Sequence, residues 1–219
     1  MKQHKERRDL FDEVRIPAGH IQLEGTLDLP AGCSNVVVFA HGSGSSRFSP
    51  RNRFVAKELS GRGIATLLLD LLTAEEDLVY RTRFDIELLS TRLAYVTDWL
   101  NTRPELKTAA VGLFGASTGA AAALKTAAAS GKEVRSVVSR GGRPDLAEGY
   151  LHQVRCPTLL IVGGDDRDVL RLNQEALAQL TCEKQLAVVP GATHLFEEPG
   201  KLEEVARLAS DWFERYLPG

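Results

Sequence analysis

The sequence predicts an α/β protein, a three-layer α/β/α sandwich whose mostly parallel, twisted sheet begins with an N-terminal antiparallel hairpin. Short apolar runs alternate along the chain with segments of helical periodicity, which favours a parallel sheet with right-handed crossovers. The first two strand-like segments instead alternate apolar and polar residues, as strands with one covered face do. With 219 residues, the chain fits one large α/β domain.

The predicted elements follow one another in a regular order. The hairpin consists of residues 11–17 and 21–30, and residues 35–40 follow as a continuous apolar run, typical of a strand buried on both faces. Further buried strands are predicted at residues 64–69, 108–114, 134–139, 158–162 and 185–189. Helices are predicted at residues 52–62, 84–100, 120–129, 145–153, 168–180 and 201–217. Residues 71–82 are acidic and lack clear periodicity, so we interpret them as a short loop or lid.

Composition and charge argue against several classes of protein. The net charge of −2 gives no general attraction to nucleic acid or anionic membranes, so we expect neither as a partner. No apolar signal sequence follows the charged segment of residues 1–10, and no run approaches the roughly 18 apolar residues of a membrane span. We therefore expect a cytoplasmic protein with a single domain over residues 11–219. Cys33, Cys156 and Cys182 form no CxxC pair, so we predict neither a disulfide framework nor a metal site.

The segment Gly115-Ala116-Ser117-Thr118-Gly119 lies between a predicted strand and a predicted helix. A serine in such a tight turn points its hydroxyl out over the edge of the sheet, and glycines give the neighbouring backbones room. The amino end of the following helix directs N–H groups at the same place. Ser117 is therefore the candidate nucleophile.

A serine nucleophile needs a base and an orienting carboxylate, which in this type of fold follow it in the order acid, then histidine. His194 lies in a loop after the last predicted strand, whereas His152 lies in a predicted helix ahead of a strand, so His194 is the candidate base. Three carboxylates share one earlier loop. Asp168 is the best candidate for the cap of the next helix, which leaves Asp165 and Asp166 as candidate acids.

Four separated segments together resemble the α/β-hydrolase fold, specifically its small dienelactone-hydrolase-like branch. They are His41-Gly42-Ser43-Gly44, the turn around Ser117, Gly163-Gly164-Asp165-Asp166 and Gly191-Ala192-Thr193-His194. The resemblance covers the chain from about residue 11 and implies no large cap domain. Dienelactone hydrolases proper carry cysteine where this chain has Ser117.

The resemblance also implies roles for particular residues. Counted from Gly163, the family's Gly-x-x-Asp turn makes Asp166 the acid. The backbone N–H groups of Ser43 and Thr118 become the oxyanion donors, and His41 is structural. No cofactor is expected.

The predicted function is that of a serine hydrolase that cleaves small carboxylic esters or lactones through an acyl-enzyme on Ser117. The alternatives within the same fold are a non-catalytic ligand-binding protein, an acyltransferase and a cofactor-free haloperoxidase. A dinucleotide site is weakly imitated by Gly42-Ser43-Gly44, but Arg47 stands at the third glycine position.

Several arginines flank the loops at the carboxyl ends of the predicted strands. Arg140 and Arg143 directly follow one strand and are candidate substrate-binding residues for a carboxylate or phosphate. Arg47, Arg51, Arg81 and Arg83 flank neighbouring loops. The alternative is that these arginines are solvated or pair with Glu75, Glu76 and Asp77. The expected partner is thus a small ester or lactone, with anionic ones included, for a monomer or homodimer.

Overall fold

The computed structural model describes residues 11–130 and 133–217, so the charged segment of residues 1–10 lies outside the described part of the chain. The strands are β1 Phe11–Ala18, β2 Ile21–Asp28, β3 Asn35–Ala40, β4 Ala65–Leu69, β5 Ala110–Ala116, β6 Val134–Arg140, β7 Thr158–Gly163 and β8 Lys184–Val189. The α-helices are α1 Pro50–Gly61, α2 Ala74–Asp77, α3 Ile86–Thr102, α4 Thr118–Ala129, α5 Arg167–Gln179 and α6 Lys201–Tyr216. Two 3₁₀ helices span Tyr80–Phe84 and Pro144–Gln153.

The eight strands form one sheet in the order β1-β2-β4-β3-β5-β6-β7-β8. β1 and β2 pair antiparallel, and β2 joins the sheet antiparallel to β4. All other neighbouring strands pair in parallel. The predicted α/β class and the hairpin are therefore confirmed, and the carboxyl ends of β3 to β8 meet at one edge.

Helices cover both faces of the sheet because the central strands are apolar on both faces. One core cluster joins the sheet to α3, α4 and α5, and includes Leu93, Leu113 and Ala121. The other joins it to α1 and α6, where the rings of Phe39 and Phe114 lie 4.8 Å apart. Within the described ranges, every helix is too short or too polar to span a bilayer.

The prediction of an irregular loop over residues 71–82 is wrong in part, because this segment contains α2 and the start of a 3₁₀ helix. A single turn has no apolar periodicity to reveal it. Thr73 and Glu76 form a capping box around α2, and the Glu76 carboxylate also takes two hydrogen bonds of 2.5 Å from the buried guanidinium of Arg92. Arg92 in addition donates to Leu71 O at 2.8 Å. The segment is thus tethered to α3.

The short helix predicted at residues 145–153 is present as the 3₁₀ helix Pro144–Gln153, which is kinked at Ala147. One other prediction is wrong. Asp168 does not cap α5: it lies in the first turn, and Asp166 occupies the cap position.

We expect Glu76→Gln to destabilise the protein in a pH-dependent way. Hydrogen bonds from Arg92 are the largest cause that lowers the pKa of Glu76, from an ordinary 4.5 to about 2. A lowered folded-state pKa stabilises fully above the unfolded-state pKa, and this contribution is lost as the pH falls toward about 2. Urea unfolding from pH 7 down to about 3 should show the difference between wild type and variant shrinking below about pH 5. Glu75→Gln, an exposed neighbour on α2, is the matched control. An equal, pH-independent loss in both variants would contradict this account.

Candidate active site

Ser117 lies in a sharp turn between β5 and α4, with a φ of +50° that is rare for a residue other than glycine. The glycines on both sides are required by close contacts. A Cβ at position 115 would lie 2.4 Å from Ala120 Cα, and one at position 119 would lie 2.2 Å from Ala40 O. The turn therefore depends on Gly115 and Gly119, for the steric reason predicted from the sequence.

The turn that follows β6 holds the backbone of Ser117 from both sides. Ser117 N–H donates to Arg140 O at 3.3 Å, and Arg143 N–H donates to Ser117 O at 3.0 Å. The Ser117 side chain takes no part in a hydrogen bond to any described residue, and the residue is partly exposed. Its hydroxyl is thus presented at the edge of the sheet with its hydrogen-bonding capacity unused.

The loop after β3 approaches this turn closely. A Cβ at position 42 would lie 2.9 Å from Ser117 Cβ, so Gly42 lets the two segments meet. The N–H of Ser43 donates to Thr118 Oγ1 at 2.9 Å. The N–H of Thr118 has no acceptor among the described residues, as expected for the first residue of a helix. The two expected oxyanion donors are therefore adjacent, and one of them is engaged by a neutral hydroxyl.

The structure brings Asp166 and His194 together: Asp166 Oδ2 lies 2.7 Å from His194 Nδ1. Asp166 is at the cap position of α5 but makes no capping bond, since its carboxylate turns toward the imidazole. Asp165 is exposed, and its N–H donates to Ala192 O at 3.0 Å. Asp168 is also exposed.

The loop that carries His194 is anchored on three sides. Ala192 and Phe196 are buried, although the φ of Phe196 is +56°. The Glu198 carboxylate accepts from the Thr193 N–H at 3.2 Å and from its hydroxyl at 2.5 Å. These contacts leave the intervening imidazole at the surface, with its side chain 40% exposed.

His194 lies beside the turn that holds the nucleophile. A Cβ at position 141 would lie 3.5 Å from both Nδ1 and Cε1 of the imidazole, so the ring rests against Gly141, next to Arg140. No hydrogen bond joins Ser117 to His194 among the described residues, and such bonds often tighten only when substrate is bound. His152 is exposed in the second 3₁₀ helix, ahead of β7, and so lies toward the opposite edge of the sheet.

His41 and Arg47 help to position the loop after β3. His41 Nδ1 lies 2.9 Å from Gly42 O, and Nε2 lies 3.7 Å from Asp70 Oδ1. Arg47 N–H donates to Asp70 Oδ1 at 2.7 Å, while its guanidinium pairs with Asp70 and with Glu24, the latter at 2.9 Å. Sequence reasoning missed Asp70 as the partner that fixes this loop. A lone charged residue at the end of a buried strand was the available signal.

The two arginines predicted to bind substrate differ in their surroundings. Arg143 is paired in a fork with Asp145, at 2.9 Å from Nε and 2.7 Å from Nη2. Arg140 is only 7% exposed and has no carboxylate partner among the described residues. Burial, followed by the repulsion from nearby Arg51, lowers the pKa of Arg140 to about 10.

Other arginines among the candidates also form ion pairs with carboxylates. Arg51 Nη1 lies 2.8 Å from Glu197 Oε1, and Arg83 Nε lies 3.0 Å from Asp77 Oδ1. Within the described residues, no group of three or more His, Cys, Asp or Glu side chains is arranged to hold a metal ion.

Comparison with known proteins places this arrangement in context. A model of the dienelactone hydrolase family matches residues 36–217. The structure of a dienelactone hydrolase from Anabaena variabilis ATCC 29413 is 54% identical, with a TM-score of 0.92, and the match covers 94% of this chain and 99% of that chain. Est1E from Butyrivibrio proteoclasticus, at 16% identity and a TM-score of 0.80 over 93% of this chain and 98% of its own, shows the fold alone. These matches confirm the α/β-hydrolase fold and support a hydrolase.

Two curated Mycobacterium tuberculosis proteins, from strains CDC 1551 and H37Rv, are 59% identical over 208 residues. Both are provisionally named phosphoribosyl transferases. The match covers 95% of this chain but 47% of theirs, so the chain spans about half the length of these relatives.

We expect Gly163→Ala to destabilise the protein much more than Gly164→Ala. A Cβ at position 163 would lie 2.3 Å from Ala192 O and would push away the loop that carries His194, whereas at position 164 the nearest atoms are 3.3 Å away. Neither glycine has a positive φ, so the two variants differ in space and not in backbone strain. Overpacking of this kind costs about 1–3 kcal/mol. The measurement is the free energy of unfolding in urea, and equal values for the two variants would refute the close approach.

Proposed function

Since the chain belongs to the dienelactone hydrolase family, we propose that it is a serine hydrolase that cleaves small carboxylic esters or lactones through an acyl-enzyme on Ser117. The observation that carries this proposal is the 2.7 Å contact between Asp166 and His194, beside the turn that presents Ser117. Acyl transfer by a serine requires an imidazole that is oriented by a carboxylate and lies close to a serine hydroxyl that is available to react.

In the proposed reaction, His194 Nε2 takes the proton from the Ser117 hydroxyl as the serine oxygen attacks the ester carbonyl carbon. Asp166 accepts a hydrogen bond from Nδ1–H, which leaves Nε2 as the basic nitrogen and stabilises the imidazolium that forms. The proton then passes to the alcohol oxygen as the bond to the acyl carbon breaks. Water, deprotonated by the same imidazole, releases the acid and restores the serine.

The negative oxygen of the tetrahedral intermediate would lie near the N–H groups of Ser43 and Thr118. The Thr118 N–H has no acceptor within the described part of the chain and lies at the amino end of α4, where the helix dipole also favours negative charge. The Ser43 N–H is engaged by Thr118 Oγ1, so the oxyanion must displace that hydroxyl or share the N–H with it.

The mycobacterial relatives' name describes proteins of about twice this length. The proposed ester hydrolysis therefore concerns the portion that this chain shares with them.

We expect a fluorophosphonate probe to add once to the wild-type protein and not at all to Ser117→Ala, because only an activated serine attacks the phosphorus. Intact mass spectrometry measures the adduct. Ser130→Ala, at the other end of α4, should label like wild type. An adduct that persists in Ser117→Ala, or its absence from folded wild type, would refute the proposed nucleophile.

We expect Asp166→Asn to reduce kcat for a neutral ester such as 4-nitrophenyl butyrate by about 10²–10⁴-fold, since the amide no longer holds the imidazole in the useful tautomer. Asp165→Asn changes a neighbouring exposed carboxylate in the same way and should stay within about twofold of wild type. The pair of variants separates the two acids that the sequence left open. A larger loss in Asp165→Asn than in Asp166→Asn would reverse the assignment.

A further inference from the structure

The strand β8 forms one edge of the sheet, because among the strands of the described chain it pairs with β7 alone. The C=O groups of Glu183 and Val189 both point to the β7 side, where they accept backbone N–H groups at 2.9 and 2.8 Å. Along a strand, the backbone groups of every second residue point to the same side. The N–H and C=O groups of Gln185 and Ala187, which lie between these two residues, therefore also point to β7.

The alternate residues of β8 direct their backbone groups to the open side of the sheet. They are Lys184, Leu186 and Val188, and their N–H and C=O groups make no backbone hydrogen bond to residues that the structure describes. The edge is therefore a row of unpaired donors and acceptors at the spacing of a strand. Such a row is suited to pair with a further strand.

The residues of β8 offer little protection against such pairing. The opposite edge strand, β1, carries the charged residues and the proline that usually protect an edge, namely Asp12, Glu13, Arg15 and Pro17. The one charged residue of β8 is Lys184, and its Nζ donates to Leu177 O at 2.7 Å and to Leu180 O at 2.6 Å, at the end of α5. Val188, an apolar residue, is 43% exposed on the same strand.

A second copy of β8 is complementary to this edge when it runs antiparallel. In an antiparallel pair, an outward residue of one strand lies opposite an outward residue of the other, and the two exchange hydrogen bonds. A twofold axis at Leu186 sets this residue opposite its own copy and Lys184 opposite Val188, which allows about six hydrogen bonds. An axis at Gln185 or Ala187 leaves one outward residue of each copy without a strand partner.

The helix that packs against β8 has a complementary arrangement of charge under the same axis. Lys184 ties the end of α5 to the start of β8, so the helix and the strand run antiparallel to each other. The axis therefore also sets α5 antiparallel to its copy. Arg171 and Glu175 lie one turn apart near the middle of α5, with side chains 62% and 56% exposed. Antiparallel copies present the arginine of one helix to the glutamate of the other, so that unlike charges meet.

We propose that the chain forms a homodimer in which β8 pairs antiparallel with β8 of a second copy, about an axis at Leu186. The two eight-stranded sheets then become one continuous sheet. The assembly is closed, because each copy uses this edge once. The carboxyl ends of the two sheets face opposite directions, so neither copy covers the turn around Ser117 in the other. The inference goes beyond the proposed hydrolase activity and does not depend on it.

Sedimentation velocity over a dilution series of the 219-residue chain measures the association. We expect an equilibrium between monomer and dimer in the wild-type protein. Val188→Lys places a lysine opposite Lys184 of the other copy, twice by symmetry, and should raise the dimer Kd about 10- to 100-fold. The matched control is Leu78→Lys, which makes the same change in charge at an 84% exposed side chain outside β8 and α5. This control should dimerise like wild type.

Amide hydrogen exchange followed by NMR tests the register of the two strands. The amides of Leu186 and Val188 should exchange more slowly in the concentrated dimer than after dilution, because only the second copy supplies their acceptors. The amides of Gln185 and Ala187 should be protected at both concentrations, since they point to β7. Val188→Lys should remove the effect of concentration on the Leu186 amide.

Several outcomes would overturn the proposal. A wild-type protein that stays monomeric up to about 1 mM has no such interface. A dimer that Val188→Lys leaves intact, or one in which the Leu186 and Val188 amides exchange freely, is formed by another surface. Equal weakening by Leu78→Lys would show an effect of net charge and not of the edge. If Val188→Lys does not fold, the comparison of wild-type exchange at the two concentrations decides alone.

Discussion

The close approach of backbone segments around Ser117 is the constraint on which the rest of the site depends. Three glycines, at positions 42, 115 and 119, stand where any Cβ would meet another segment at 2.2 to 2.9 Å. The positive φ of Ser117 costs on the order of 1–3 kcal/mol and persists only because its surroundings fix it. The two backbone hydrogen bonds from the turn after β6 supply that fixation. The strained backbone of Ser117 persists because the rigid edge of the sheet holds it in place.

The same turn also couples the nucleophile to the imidazole. Gly141, one residue after the carbonyl that accepts the Ser117 N–H, is the surface against which His194 packs. The loop that carries His194 also passes so close to Gly163 that only glycine fits at that position. Two residues after Gly163, the Asp165 N–H donates to Ala192 O in the same loop. Asp166 makes no capping hydrogen bond, which would stabilise the helix by about 1 kcal/mol, because its carboxylate binds the imidazole. Its charge remains at the amino end of α5, where the helix dipole favours it.

The sequence predicted what depends on short-range pattern, and it could not predict what depends on packing between distant segments. Apolar runs located the buried strands, and the glycines around Ser117 located the turn, since both signals are local. Asp168 was wrongly predicted as the helix cap because Asp166 is an equally suitable residue for that position. Only the distant His194 determines where the Asp166 carboxylate points. The turn of α2 is capped locally by Thr73 and Glu76, but the contact that ties it to α3 comes from Arg92, sixteen residues after Glu76.

The arginines show the same difference between contacts that are local in the sequence and contacts between distant segments. The fork between Arg143 and Asp145 joins residues only two apart, a spacing that can be read directly from the sequence. Nothing in the sequence around Arg140 distinguishes a solvated arginine at a strand end from a buried one, because the side chain that it contacts is Asn52 of α1, nearly ninety residues earlier in the chain. Composition and spacing carry no information on such a contact.

The hydrogen bond from Ser43 to Thr118 bears on how the proposed site would discriminate between ground and transition states. In the free protein the Ser43 N–H donates to a neutral hydroxyl, so the donor is satisfied and pre-oriented. A neutral ester carbonyl gains little by replacing that hydroxyl, since one neutral acceptor is exchanged for another. A developing oxyanion gains more, because hydrogen bonds to charged acceptors are roughly twice as strong. The exchange would therefore favour the transition state over the bound ester, which is the condition for raising kcat and not merely lowering KM.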